Sequence, residues 1–140
     1  MTYVLDASAI LRYIDNEPGA SEVEKLLKKA RVGDALLLMS AVNWGEVLFV
    51  VLKAHGVDAM NKIESSLRSL PFQVLAVDHV TAREAAEIRF RFKIPYADAF
   101  AAAVARQNQA TVITADHDFT LLRGAVKVQL LPTKGKGQTP

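Results

Sequence analysis

A chain of 140 residues, 51% hydrophobic and 23% charged, has the size and composition of one globular domain with a sizeable core. The lack of cysteine excludes disulfides and thiolate metal sites, and no apolar run reaches the length of a bilayer span. Seventeen bases against fifteen acids leave a net charge of +2, a small number that conceals an asymmetry in where the acids fall.

Thr2-Tyr3-Val4-Leu5-Asp6 is a short β-rich run that ends in an acid. Buried parallel strands read as continuous apolar residues, and their carboxyl ends are where α/β sheets place ligands. Ala7 to Tyr13 continues as helix, and Asn16-Glu17-Pro18-Gly19 is a turn. From Ser21 to Ala30 the residues Val23, Leu26, Leu27 and Ala30 keep a helical period. After Gly33, the wholly apolar Ala35 to Met39 predicts a second buried strand. Ser40 is a good cap for a helix from Ala41 to His55. That helix carries Asn43 and Glu46 one turn apart on one face. Between Val47 and Leu52 it is apolar all round, the pattern of a segment buried on more than one side, here against a partner chain. Gly56 ends it.

A further helix over 57–70 stops before Pro71, and Phe72 to Val77 reads as a third strand. Thr81 to Phe92 is helical, with His79 ahead of it. The next helix opens at Pro95, whose missing N–H has no intrahelical partner in a first turn, and runs through an alanine-rich stretch to Gln107. Ala110 to Thr114 is a fourth strand, and the alternating Val126 to Leu130 is a fifth, at an edge. Strands alternating with helices, without repeat or linker, predict one α/β domain over 1–132. Its architecture is a three-layer α/β/α sandwich with a mainly parallel four- or five-stranded central sheet. Residues 133–140 are expected to form a flexible basic tail.

Four acids stand at similar junctions. Asp6 ends the first strand, Glu46 lies early in the helix after the second, Asp98 opens its helix, and Asp116 follows the fourth strand. In a parallel sheet these places fall near one rim. Carboxylates a few ångström apart repel and partly stay protonated. A hard divalent cation removes that conflict, and Mg²⁺ or Mn²⁺ prefers carboxylate and water oxygens. Such a cation activates water and stabilises charge on a phosphodiester. If these four and Asp118 share a pocket, the other ten of the fifteen acids face 17 bases, and the rest of the molecule stands near +7. An acidic hole in a basic surface suits a polyanion. Taken singly, Asp98 also suits the positive end of its helix dipole.

His55, His79 and His117 have no His or Cys partner at metal-ligand spacing. Arg89-Phe90-Arg91-Phe92-Lys93 interleaves bases and aromatics, as some RNA-binding surfaces do. On a helix the plainer reading is a solvated face with Phe92 turned into the core.

Four motifs occur in order and with consistent spacing: Val4-Leu5-Asp6-Ala7-Ser8, Asn43-Trp44-Gly45-Glu46, Tyr96-Ala97-Asp98-Ala99 and Thr114-Ala115-Asp116-His117-Asp118-Phe119. Together they resemble a PIN-domain ribonuclease over nearly the whole chain, and look most like the VapC-type toxins of bacterial and archaeal toxin–antitoxin pairs. The resemblance implies Mg²⁺- or Mn²⁺-dependent endonucleolytic hydrolysis of RNA, with Asp6, Glu46, Asp98 and Asp116 as the catalytic acids. Asp6 and Asp98 are then the metal ligands, with Glu46 and Asp116 acting directly or through water. Ser8 matches a hydroxyl position of the family, Thr114 the hydroxyl before the fourth acid, and Asn43 a polar neighbour of Glu46. For these three, local capping and turn bonding is an equal alternative. Asp118 matches an additional acid, though a solvated loop charge is the simpler reading. The resemblance also implies a homodimer and a cognate antitoxin that lays an apolar helix on the surface and places an Arg or Lys among the acids.

A haloacid-dehalogenase-type phosphatase needs a second acid two residues after the first, where Ser8 stands. A receiver domain needs paired acids near its first strand and a lysine after a late one, and neither is matched. Within the PIN resemblance, the alternatives are a nuclease of RNA processing outside any toxin–antitoxin system and a non-catalytic RNA-binding PIN module. The latter is expected to lose acids, and all four are present. Short length and the lack of an appended RNA-binding domain favour the toxin. With no basic segment ahead of an apolar run and Asp6 interrupting the first one, a signal peptide is not expected, and the protein is expected in the cytoplasm, away from membranes.

Overall fold

The computed structural model describes residues 1–133. The tail expected over 133–140 lies, apart from Thr133, outside the described residues. Five strands form one sheet: β1 (Thr2–Leu5), β2 (Leu36–Ser40), β3 (Gln73–Leu75), β4 (Thr111–Thr114) and β5 (Lys127–Leu130). Their order is β3-β2-β1-β4-β5, and every neighbouring pair is parallel. The sheet expected to be mainly parallel is wholly so, and all five strands deliver their carboxyl ends to one rim.

Among the described residues six α-helices cover it: α1 (Ala7–Ile14), α2 (Ala20–Arg31), α3 (Ala41–His55), α4 (Val57–Arg68), α5 (His79–Phe92) and α6 (Tyr96–Gln107). A 3-10 helix spans His117–Leu122. Successive strand side chains point to opposite faces, so the apolar runs of the central strands feed two cores. Val4, Leu38 and Val112 join α5 and α6 on one face. Leu5, Leu37, Met39 and Ile113 join α1, α2 and parts of α3 and α4 on the other. This is why the central strands have no polar alternation: both faces are roofed. Each fully buried Leu or Val contributes about 1.5–3 kcal/mol.

The alanines of α6 serve close approach. Ala101, Ala102, Ala103 and Ala105 are all fully buried, so a larger side chain there would overpack the core at a cost of about 1–3 kcal/mol. None of the described helices is long and apolar enough to cross a membrane.

Three expectations change. The third strand is Gln73–Leu75 rather than Phe72 to Val77, because it is an edge strand held on one side by β2 alone. His79 does not precede α5 but begins it, with Asp78 as the cap accepting from the Thr81 amide at 2.9 Å. The segment Val47 to Leu52 is buried on one side only within the chain. Val47 and Val51 are buried, while Phe49 is 61% exposed, and Val50 and Leu52 also face solvent.

Candidate active site

The rim begins at Asp6, directly after β1. Register sets Leu5 beside Ile113, so Asp6 emerges next to Thr114, and its amide donates to the Ile113 carbonyl at 3.2 Å. The Asp6 side chain is buried and caps α1, accepting from the Ala9 amide at 2.9 Å. Ser8 Oγ donates to Asp6 Oδ1 at 2.7 Å and Thr114 Oγ1 to Oδ2 at 2.5 Å. Both hydroxyls are themselves held. Ser8 Oγ accepts the Ala115 amide and Thr114 Oγ1 the Asp116 amide, each at 2.9 Å. One carboxylate therefore locks the start of α1 to the end of β4. Burial pushes its carboxyl from 3.8 up to about 6, against the hydrogen bonds from Thr114, Ser8 and Ala9. Nearby Asp116 pushes the same way.

A second polar cluster follows β2. Ser40 caps α3, accepting the Asn43 amide at 3.1 Å while its hydroxyl donates to Asn43 Oδ1 at 2.6 Å. Both residues are buried. Asn43 Nδ2 then donates to Glu46 Oε1 at 3.0 Å and to the Ala97 carbonyl at 3.1 Å. A single amide thus orients Glu46 and pins the first turn of α6, which carries Asp98, to α3.

Asp98 lies in that turn, half-buried. Burial first, and then Asp116, Asp6 and Glu46, together raise its carboxyl from 3.8 to about 7. Asp116 is also within hydrogen-bonding reach. Each of these charges is near enough to act on Asp98, so the four acids from four separate elements share one electrostatic neighbourhood. Asp116 caps the 3-10 helix, accepting the Asp118 amide at 2.9 Å. Asp118 itself is exposed. His55, His79 and His117 are exposed.

Ser8, Thr114 and Asn43, open in the sequence between capping and a site role, bond to the acids themselves. Ser40 and the Ala97 carbonyl were not singled out as site groups. Ser40 carried a signal, since a cap residue and the residue three positions on commonly bond reciprocally. A backbone carbonyl 54 positions from Asn43 carries none.

The donor set around Asp98 is all oxygen, which suits a hard divalent cation. Among the described residues no three acids or histidines already close around one point as a metal cage. The fit is therefore one of donor chemistry. Mg²⁺ commonly takes only one or two carboxylates and keeps several waters.

Residues 3–124 match the PIN domain family, and the chain belongs to that family. Solved structures share its fold. A chain of VapBC2 from Rickettsia felis, crystallised with a promoter DNA fragment, superposes with a TM-score of 0.77 at 17% identity, over 94% of this chain and 100% of that one. A chain of VapBC-5, a toxin–antitoxin system member from Mycobacterium tuberculosis, gives 0.62 at 26% identity over 94% and 98%. The M. tuberculosis toxin VapC20, described as cleaving the sarcin–ricin loop, gives 0.66 at 19% over 93% and 99%. No curated protein matches the chain.

Proposed function

We propose that this protein is a divalent-metal-dependent endoribonuclease, the toxin of a toxin–antitoxin pair. The observation that carries the reading is the convergence of Asp6, Glu46 and Asp116 on Asp98, whose carboxyl is driven up to about 7. Keeping four acids together costs stability, and such a cost is typical of a functional site. Membership of the PIN family and the likeness to a toxin described as cleaving the sarcin–ricin loop support RNA as the substrate.

Asp6 and Asp98 are the ligands we assign to Mg²⁺ or Mn²⁺, with Glu46 and Asp116 directly or through water. The bound cation would supply an activated water and charge stabilisation for phosphodiester cleavage. The chain's own residues do the positioning. Ser8 and Thr114 fix both oxygens of Asp6, and Asn43 fixes Glu46 against the Asp98 turn. To Asp118, exposed two residues beyond Asp116, we assign a supporting role only.

Neighbours crystallised as toxin–antitoxin complexes support an antitoxin partner. A groove of about 480 Å³ between α1, α2 and α4, with Tyr13, Ile14, Ile63, Leu67 and Leu70 in its lining, suits the apolar face of an antitoxin helix. An Arg or Lys of that partner entering the acids would compete with the metal. The test is cleavage of RNA by the purified protein. Cutting with Mg²⁺ or Mn²⁺, abolished by EDTA and leaving 5′-phosphate and 3′-hydroxyl ends, is expected. Cyclic 2′,3′-phosphate ends would mean attack by the RNA's own hydroxyl and would overturn the mechanism. Equal binding without cleavage would favour a non-catalytic RNA-binding domain.

A further inference from the structure

Phe90 on α5 is 84% exposed, more than any other large hydrophobic side chain among the described residues. The helix buries Ala85 and Ile88 on its opposite side. Ala86 and Phe90 together line two adjoining grooves. One, of about 1080 Å³, also takes in Arg89, Lys93 and Tyr96. The other, of about 410 Å³, takes in Arg83, Arg91 and one acid, Glu87. An exposed ring therefore stands among four cations and one carboxylate.

The larger groove reaches as far as the first residue of α6. Tyr96 opens α6 two residues before Asp98. Its ring meets Phe100 edge-on at 4.8 Å, and its hydroxyl reaches the Ala82 carbonyl at 3.5 Å, so it is pinned while 43% exposed. Arg89 Nη1 holds the Ile94 carbonyl at 3.0 Å. Lys93 caps the helix with φ 57°, a left-handed conformation that glycine adopts far more easily. A cation thus occupies a position where the backbone favours glycine.

We infer that this surface holds a single-stranded stretch of RNA, a base stacking on Phe90 and phosphates meeting Arg89 and Lys93. The inference rests on the ribonuclease reading above. Exposed aromatics interleaved with bases are how single strands are held without sequence readout. A second copy of the chain fits poorly, because a two-fold contact through Phe90 would bring like charges face to face.

The test uses the full chain and a fluorescein-labelled single-stranded RNA, with anisotropy in EDTA and cleavage in Mg²⁺. Phe90→Ala should weaken binding about tenfold, Phe90→Tyr should restore it, and the loss in cleavage should fall mainly on KM. Lys93→Gly should weaken binding, lower the salt slope by about 0.7 and yet raise Tm, because glycine relieves the left-handed backbone. A merely structural lysine would not separate the two. If the parent cuts RNA and both Phe90→Ala and Lys93→Gly bind and cut like it, this surface is excluded and the nuclease reading stands. If the parent binds RNA through these residues but never cuts, the surface stands and the nuclease reading falls. A parent that neither binds nor cuts removes both. Variants that lose only self-association or binding of an acidic protein would overturn the inference.

Discussion

At Asp98 burial and three neighbouring carboxylates act in the same direction. Its folded value of about 7 lies above the ordinary 3.8, so between those values the folded protein holds a proton that the unfolded chain has given up. Stability of the metal-free protein therefore falls as pH rises through this window, and the cost is complete above about 7. Asp6 acts likewise between 3.8 and about 6. Thermal melts in EDTA from pH 4 to 8 should show this decline, and the same melts in Mg²⁺ should show it reduced, because the cation favours the ionised carboxylates. Asp98→Asn keeps the size of the side chain and removes the charge. At pH 8 without metal it should melt at or above the parent, by about 1 kcal/mol, with cleavage nearly abolished. Added Mg²⁺ should raise the parent's Tm more than the variant's. If Asp98 merely complements the helix dipole, the variant should instead lose about 0.3–1 kcal/mol and still cut RNA.

At the scale of elements, the site depends on a contact far from the acids. Gly19 precedes α2 as its cap with φ 100°, and a Cβ there would stand 2.8 Å from Leu131 Cβ. Leu131 is buried, and its amide donates to the Thr114 carbonyl at 2.8 Å. Thr114 in turn holds Asp6. Arg12 Nη1 stitches the same place, donating to the Pro18 and Pro132 carbonyls at 2.8 and 3.2 Å. Gly19→Ala should therefore cost about 2–4 kcal/mol, backbone strain and overpacking together. Gly33→Ala is the control. Its φ is 83°, but a Cβ there meets nothing within 4 Å, so only the backbone cost of about 1–2 kcal/mol applies. Denaturant midpoints at constant m-value would separate the two. Equal losses would remove the Leu131 contact from the argument.

Across the whole molecule, two surfaces differ in chemistry. The α5 face combines an exposed aromatic with cations. The other exposes several apolar side chains: Phe49, Val50, Leu52 and Val57 along α3 and the start of α4. Clustered exposed apolar side chains mark an interaction site, and we propose that two copies of the chain pair through this one. Sedimentation at micromolar concentration should show a dimer for the parent and a monomer for Phe49→Glu. A parent that stays monomeric would remove the dimer. A variant that stays dimeric would move the interface elsewhere.

Much of this protein was legible in its sequence because the signals are local. Apolar runs mark the strands, Ser40 and Gly56 bound α3, and the acids stand at strand–helix junctions, all within a few residues of chain. Parallel connection then requires those junctions to share a rim. What only the tertiary structure decided depends on neighbours remote in sequence. The order of the strands places Thr114 against Asp6 across 108 positions, and Asn43 finds the Ala97 carbonyl across 54. The short β3 reflects a single neighbour. The outward turn of Phe90 reflects which side of α5 meets α6. The raised carboxyl of Asp98 belongs to the same class. Its charge is written at one position, but its energy is set by burial and by three acids that folding brings from other elements.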